Sequence, residues 1–224
     1  AAGVARAAVR GTPLQEGLYD RPAARRRLAA LLADEPPYDL VVVQLVRCAW
    51  AAEVVAALSP GTPLLYDAVD SMALHFARAA ESSTGPRRWF AAVESERCRR
   101  RETWLAGRSR VVAAVSERDL SAIGGGGRRM VVPVAGREPV TTEARETAPS
   151  PTVVVTGNLG YRPTVDGALR FARQAWPLVR RVVPAARLVL AGARPARRLR
   201  GLAGRDGIEV HGEEPEGHYN RVLL

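Results

Sequence analysis

A chain of 224 residues with 47% hydrophobic and 25% charged content has the composition of a globular protein and enough length to bury one large core or two modest ones. No apolar run approaches the roughly 20 residues needed to span a bilayer, so no membrane-spanning helix is expected. The net charge of +10 does not by itself make a nucleic-acid binder: all 33 basic residues are arginine, they are scattered, and the 5% of aromatic residues are not interleaved with them as a stacking platform requires. The arginine excess points instead to a basic solvated surface, with phosphorylated substrates or anionic lipid headgroups as the partners it would attract.

Taken in chain order, apolar β-branched runs alternate with longer amphipathic stretches, the pattern of a parallel α/β sheet. Strands are expected at 40–46, 63–67, 111–115 and 130–134. Helices are expected at 49–58, 71–80 and 86–105, and a short one starts at Ser116-Glu-Arg-Asp119, whose Ser-x-x-Asp resembles a capping box. Pro86 fits the first turn of the long helix, where its missing N–H costs nothing. The run Gly124–Gly127 reads as a loose surface turn, since no Lys-Ser/Thr follows to make it a phosphate cradle.

Residues 135–151 carry Gly, Pro, Thr, Glu and Ser without apolar periodicity and read as a linker between two domains, 1–134 and 152–224. Past the linker the alternation restarts, with strands at 152–156, 186–191 and 207–211 and helices at 164–183 and 195–202. Cys48 and Cys98 lie far apart and without metal-ligand spacing, which suits reduced thiols. Together with a start that lacks the apolar core of a signal peptide, this makes a cytoplasmic location the expectation.

Ligands of open parallel sheets sit beyond the carboxyl ends of the strands. There the most informative segment is Thr156-Gly-Asn-Leu-Gly-Tyr-Arg-Pro-Thr-Val-Asp166. Its glycines permit close backbone approach to a ligand, and a helix starting near Pro163 would turn its N–H dipole toward the loop, a natural anion site. Arg162 adds a permanent cation suited to a diphosphate. The spacing fits neither the dinucleotide fingerprint nor the P-loop.

That loop, with Trp176-Pro177, Pro184 and Leu188-Val-Leu-Ala-Gly192-Ala-Arg-Pro195, resembles the opening of the donor domain in family-four (group 1) GT-B glycosyltransferases. More narrowly it is similar to exopolysaccharide-type sugar transferases, with Thr164 standing where their pattern has Asn. Upstream, Tyr66-Asp-Ala-Val-Asp-Ser71, Arg78, Glu94, Arg97, Glu102 and Val115-Ser-Glu-Arg-Asp119 also look like that group, so the resemblance covers residues 40–212. Two segments depart from it: Val132-Pro-Val-Ala-Gly136 at the hinge and Gly212-Glu-Glu-Pro-Glu216.

The resemblance implies a bacterial protein with two Rossmann-like parallel-sheet domains of GT-B type, both incomplete. A first strand with its glycine loop would lie before Ala1, and the paired glutamates for donor ribose and sugar would lie beyond Leu224. It implies retaining, metal-independent transfer from a nucleotide sugar to an acceptor hydroxyl of a glycan or lipid-linked acceptor in polysaccharide or glycoconjugate synthesis. No cofactor is expected, the 224 residues alone would lack part of the machinery, and peripheral contact with the inner face of the membrane is compatible with such an acceptor. Carried onto this chain, Asp67 and Asp70 become the catalytic-side carboxylates. Gly157 and Asn158 become backbone contacts to the donor, Arg162 its phosphate ligand, and Gly192 and Arg194 the border of the nucleobase. Ser116 caps its helix and is a further candidate.

Each of these residues also has a plainer role open to it. Asp70 would be a helix N-cap, the glycines turn formers, and Glu94, Arg97 and Glu102 an internal ion-pair set, while His75, His211 and His218 lack partners at catalytic spacing. Asp-Ala-Val-Asp is not the metal-binding Asp-x-Asp of the other transferase fold, and no metal site is expected. Two other functional classes remain: a sugar-nucleotide epimerase of the same fold, and a non-enzymatic basic module for nucleic acid or membrane.

Overall fold

The computed structural model describes residues 2–34, 38–134 and 150–213. The chain divides into two compact units, Ala1–Arg137 and Glu138–Leu224. The linker expected at 135–151 therefore lies almost wholly outside the described residues, as does His218.

Unit 1 opens on three helices to which the apolar alternation assigned nothing: α1 (Ala2–Arg10), α2 (Glu16–Tyr19) and α3 (Pro22–Asp34). A Cβ on Gly3 would stand 2.0 Å from the Gly17 carbonyl oxygen, so α1 and α2 touch backbone to backbone. The sheet follows. Strand β1 (Val41–Gln44) leads through a single 3-10 turn (Val46–Cys48) into α4 (Ala49–Leu58), then come β2 (Leu64–Asp67), α5 (Met72–Glu81), α6 (Gly85–Ala106), β3 (Val111–Ala114), α7 (Glu117–Ala122) and β4 (Arg128–Val131). All four strands are parallel and lie in sequence order. Because the order never reverses, right-handed crossovers bring α4, α6 and α7 to one face. There Val43, Leu64, Tyr66, Val112 and Ala114 pack against Ala52, Val55, Leu105, Leu120 and Ile123. Val42, on the other face of β1, is 55% exposed, so the first strand is buried on one side within this unit rather than on both.

The long helix α6 is where polarity and burial part company. Its buried positions Ala91, Glu94, Cys98, Arg101, Glu102, Leu105 and Ala106 recur at three- and four-residue spacing, but three of the seven are charged. Each charge is answered. Arg101 donates to Glu16 at 2.9 Å and to Glu53 at 2.6 Å, and Arg25 bridges Glu53 and Asp20. The Arg101 guanidinium also lies 4.2 Å from the Trp104 ring centroid. Glu94 accepts from Leu14 N at 2.9 Å and from Arg97 at 2.8 Å. Burial pushes the Glu16 carboxyl above its ordinary range, against the pull of Arg101. Of the expected ion-pair set, Glu94 and Arg97 do pair, whereas Glu102 serves as a helix cap.

Two further expectations are corrected. The fourth strand starts at Arg128, not Met130. The glycines ahead of it are no loose turn: a Cβ on Gly125 would lie 2.9 Å from Thr103 O, and one on Gly127 2.6 Å from Ser109 O. With φ of +103° and +92°, these two positions need glycine for both conformation and space.

Unit 2 contains β5 (Thr152–Thr156), α8 (Arg162–Arg170), α9 (Trp176–Val182), β6 (Arg187–Ala191), α10 (Arg197–Arg200) and β7 (Ile208–His211), with the three strands parallel in sequence order. The helix expected at 164–183 runs from Arg162 to Val182 with a π turn at Phe171–Ala175. Pro177 supplies the cause, since it lacks an N–H and its ring crowds the carbonyl four residues back. Leu159, Leu169, Trp176, Leu188, Leu190 and Leu199 form the core, and Trp176 Nε1 donates to Asp206 O at 2.9 Å.

Replacing Arg101 by Leu strands the buried Glu16 carboxylate and is expected to cost about 3–5 kcal/mol of stability, the usual penalty for breaking a buried pair. The Glu16→Gln, Arg101→Leu double variant should recover a large part of that loss. Urea unfolding followed by circular dichroism reads both, and equal losses in the single and double variants would count against the pair.

Candidate functional site

In unit 1 the carboxyl ends of β1, β2 and β3 carry backbone strain and carboxylates together. Leu45, directly after β1, has φ +63°, and Val69, just after β2, has φ +56°. A left-handed conformation is an outlier for a β-branched residue, and such strain gathers at functional sites. Surrounding bonds hold it: Leu45 N donates to Asp67 O at 2.8 Å, Val115 N to Val69 O at 2.9 Å, and Ala68 N to Ala113 O at 2.8 Å.

Asp67 closes β2 half-buried, accepting from Gln44 Nε2 at 3.0 Å and from Val69 N at 3.2 Å. Asp70 is exposed, and the cap of α5 is the next residue, Ser71, whose Oγ accepts from Leu74 N at 3.2 Å. The N-cap role open to Asp70 therefore belongs to its neighbour. Ser116 caps α7 as its spacing implies, accepting from Asp119 N at 3.1 Å, and Asp119 in turn accepts from Ser71 N at 3.2 Å. The loops bearing Asp67, Asp70 and Ser116 are thereby tied to one another.

Beneath them lies Glu102, fully buried. Its carboxylate accepts from Ser71 Oγ at 3.0 Å, Met72 N at 2.7 Å and Ala73 N at 3.3 Å, so a side chain from α6 satisfies the orphan donors of α5. Burial pushes this carboxyl up to about 7, against the three donated hydrogen bonds. Tyr66 Oη, buried without a partner among the described residues, is driven well above its ordinary range by burial and then by Glu102. Gln44 is the site-supporting residue that sequence reasoning missed, and Glu102, expected there as one of an ion-pair set, instead holds the head of α5. The only signal for that role was a Glu at a core-facing position of α6.

In unit 2 the expected loop forms between β5 and α8. Gly157 has φ +143° and Gly192 φ +155°, and a Cβ on Gly192 would stand 1.8 Å from Gly157 O. The loops after β5 and β6 therefore touch backbone to backbone, which brings Gly157, Asn158, Gly192 and Arg194 to one strand-end edge. The contact continues at Gly160, whose Cβ would meet Arg194 O at 2.9 Å, and Ala196 N donates to Leu159 O at 3.0 Å. Asn158 Oδ1 accepts from Gly160 N at 3.0 Å, so this side chain shapes the loop, and both Gly157 and Asn158 are exposed. Arg162, the first residue of α8, is 76% exposed at its side chain and lies 3.5 Å from Asp166. Arg194 is exposed with φ +52°, the one left-handed non-glycine residue in this loop pair. Arg197 and Arg198 follow on α10, adding two exposed cations. Among the described residues, no three His, Cys, Asp or Glu side chains gather as a metal site would require.

Two parallel sheets, each with its ligand-competent edge at the strand carboxyl ends, define an α/β fold of the GT-B type with Rossmann-like units. Among solved structures, the chain is similar to the crystal structure of alpha,alpha-trehalose 6-phosphate synthase from Burkholderia multivorans, with a TM-score of 0.56 and 14% identity over 89% of this chain and 52% of that one. The chain thus spans about half the length of that enzyme. No protein-family model and no curated protein sequence matches it.

Two predictions follow from these geometries. Gly192→Ala forces a methyl onto the Gly157 carbonyl at an unfavourable φ and is expected to destabilise unit 2 by about 1–3 kcal/mol, as overpacking does. Thermal melts of the chain read this, and an unchanged melt would refute the close approach. Glu102 is raised from 4.5 to about 7 on folding, so its contribution to stability is full below pH 4.5 and is lost as pH rises through about 7. Wild type should therefore lose stability relative to Glu102→Gln across that window, as read by urea midpoints at a series of pH values. Parallel curves would contradict it.

Proposed function

We propose that the chain belongs to a retaining, metal-independent glycosyltransferase that moves a sugar from a nucleotide sugar to an acceptor hydroxyl in polysaccharide or glycoconjugate synthesis, resembling the exopolysaccharide-type transferases. One observation carries the reading: in unit 2, two glycine loops at adjacent strand ends lie in backbone contact beside the start of α8, with Arg162 and Arg194 exposed alongside. Such an edge suits a nucleoside diphosphate. The helix start offers N–H groups and a positive dipole end, the loops leave backbone open to a ligand, and the guanidiniums neutralise phosphate. The fold likeness to a synthase that makes trehalose 6-phosphate, and the motif resemblance from residue 40 to 212, support the same class.

On this reading Gly157 and Asn158 contact the donor through their backbone, Arg162 holds its diphosphate, and Gly192 and Arg194 border the nucleobase. Asp67 and Asp70 face the acceptor hydroxyl and the transferred sugar, with Ser116 beside them. Catalysis rests on positioning and on stabilising the departing diphosphate, not on a metal.

Calorimetric titration with UDP and GDP tests this. The chain is expected to bind one of them, and Arg162→Ala or Arg194→Ala to weaken it about 10- to 100-fold, the loss of one hydrogen bond to a charged group. Unchanged affinity in both variants would remove the arginines from the site. An epimerised sugar nucleotide formed without acceptor would replace transfer by epimerisation.

A further inference from the structure

The α5–α6 hairpin ends in a tip that neither the core nor the candidate site uses. Residues 84–90, Thr-Gly-Pro-Arg-Arg-Trp-Phe, are all exposed, with Trp89 at 71% and Phe90 at 47%. Arg87 and Arg88 precede the aromatic pair, and Arg78 on α5 is exposed beside them. Glu81 is the only acid between residues 78 and 90, so the tip is cationic. Leaving an indole and a phenyl in water next to three arginines has a cost that packing does not recover within this unit.

The direction of the hairpin is set by its hydrogen bonds. Helix α6 ends at Ala106, just before the amino end of β3, while Glu102 caps α5 at the carboxyl end of β2. Ser95 Oγ donates to Ala73 O, so α5 runs back along α6 toward Gly85. At a rise of about 1.5 Å per residue, Gly85 stands about 25 Å past Glu102 along the helix axis. The tip is therefore on the side of the sheet where Asp67, Asp70 and Ser116 lie.

We propose that this tip docks on an anionic lipid surface, with Trp89 and Phe90 entering the headgroup–acyl boundary and Arg78, Arg87 and Arg88 engaging the headgroups. Tryptophan favours that boundary because one end of the indole is apolar and the other donates a hydrogen bond. Flanking arginines gain from the negative surface potential, and a chain of net charge +10 is drawn to it as a whole. Single-stranded nucleic acid fits less well. Adjacent residues point about 100° apart around a helix, so Trp89 and Phe90 cannot both stack on one strand of bases. Docking through the tip turns the strand-end edge of unit 1 toward the lipid, where a lipid-borne acceptor would be presented. That last consequence rests on the transferase reading, whereas the docking itself does not.

Co-sedimentation of the full chain with vesicles tests the proposal. Binding is expected to phosphatidylglycerol mixed with phosphatidylcholine but not to phosphatidylcholine alone, to weaken with salt, and to fall at least about tenfold in the Trp89→Ala, Phe90→Ala variant. Arg87→Glu, Arg88→Glu should remove the preference for anionic vesicles. Both variants change exposed residues only, and matched melting curves confirm that they fold. Wild-type binding by either variant would overturn the proposal. So would absence of vesicle binding by the wild type, including the case where the same residues shift a single-stranded RNA instead.

Discussion

The N-terminus of α5 is held by a carboxylate from another helix. Glu102 takes hydrogen bonds from Ser71 Oγ and from the backbone of Met72 and Ala73, at the point where β2 gives way to α5. Because Ser71 N also donates to Asp119, the start of α7 is tied into the same arrangement. The turn from Asp67 to Asp70 has no regular structure of its own. It is suspended between β2 and that anchored helix start, with Val69 strained in its middle. Remove the carboxylate, and the donors at the head of α5 lose their partner while the strained turn loses one of its supports.

Residue 101 does for the other side of α6 what residue 102 does for this one. Arg101 faces α2 and α4 through Glu16 and Glu53 and stacks on Trp104, while Glu102 faces α5 and the strand ends. Two adjacent, oppositely charged and buried side chains thus connect the helices ahead of the sheet to the edge where a ligand would sit. A hydrophobic α6 could pack against the sheet equally well, but it would offer nothing to the head of α5. The polarity of α6 is better understood as a requirement of what surrounds it than as a weakness of the core.

This also explains what was legible beforehand. Strands such as Leu64–Asp67 and Arg187–Ala191 announce themselves because β-branched and leucine-rich runs between turn residues have few other uses. The loop from Gly157 to Asp166 was legible for a related reason: glycine and proline in fixed places imply a backbone approach, and Gly192 against Gly157 is that approach. What stayed hidden was polar burial. The three helices before Val41 are arginine- and alanine-rich: ion pairs of Glu16 and Arg25 and the packing of Leu32 join them to the rest of unit 1, while α1 meets α2 through a glycine contact. Glu102 read as one member of an ion-pair set with Glu94 and Arg97, not as the cap of α5. Asp70 was the natural candidate for an N-cap from its residue type, yet the serine beside it takes the part because the turn at Val69 delays the helix by one residue.

The two strand-end edges have opposite chemical character, and that difference follows from how each is built. In unit 1 the loops are tied by side chains, so the carboxylates of Asp67, Asp119 and Glu102 are engaged by neutral amide, hydroxyl and backbone donors. Such an edge suits a neutral, hydroxyl-rich molecule, which can exchange hydrogen bonds with carboxylates without bringing a like charge. In unit 2 the loops are glycine-bound and tied mainly by backbone, which leaves Arg194 and Arg197 exposed, while Arg198 lies 3.6 Å from Asp166. That edge suits an anion. On the proposed reading, a donor bearing two phosphates suits the edge of unit 2 and an acceptor bearing only hydroxyls suits that of unit 1. That arrangement depends on Gly192 as much as on the arginines, because a side chain there would meet Gly157 O and push the loops apart, leaving the cations without a common edge.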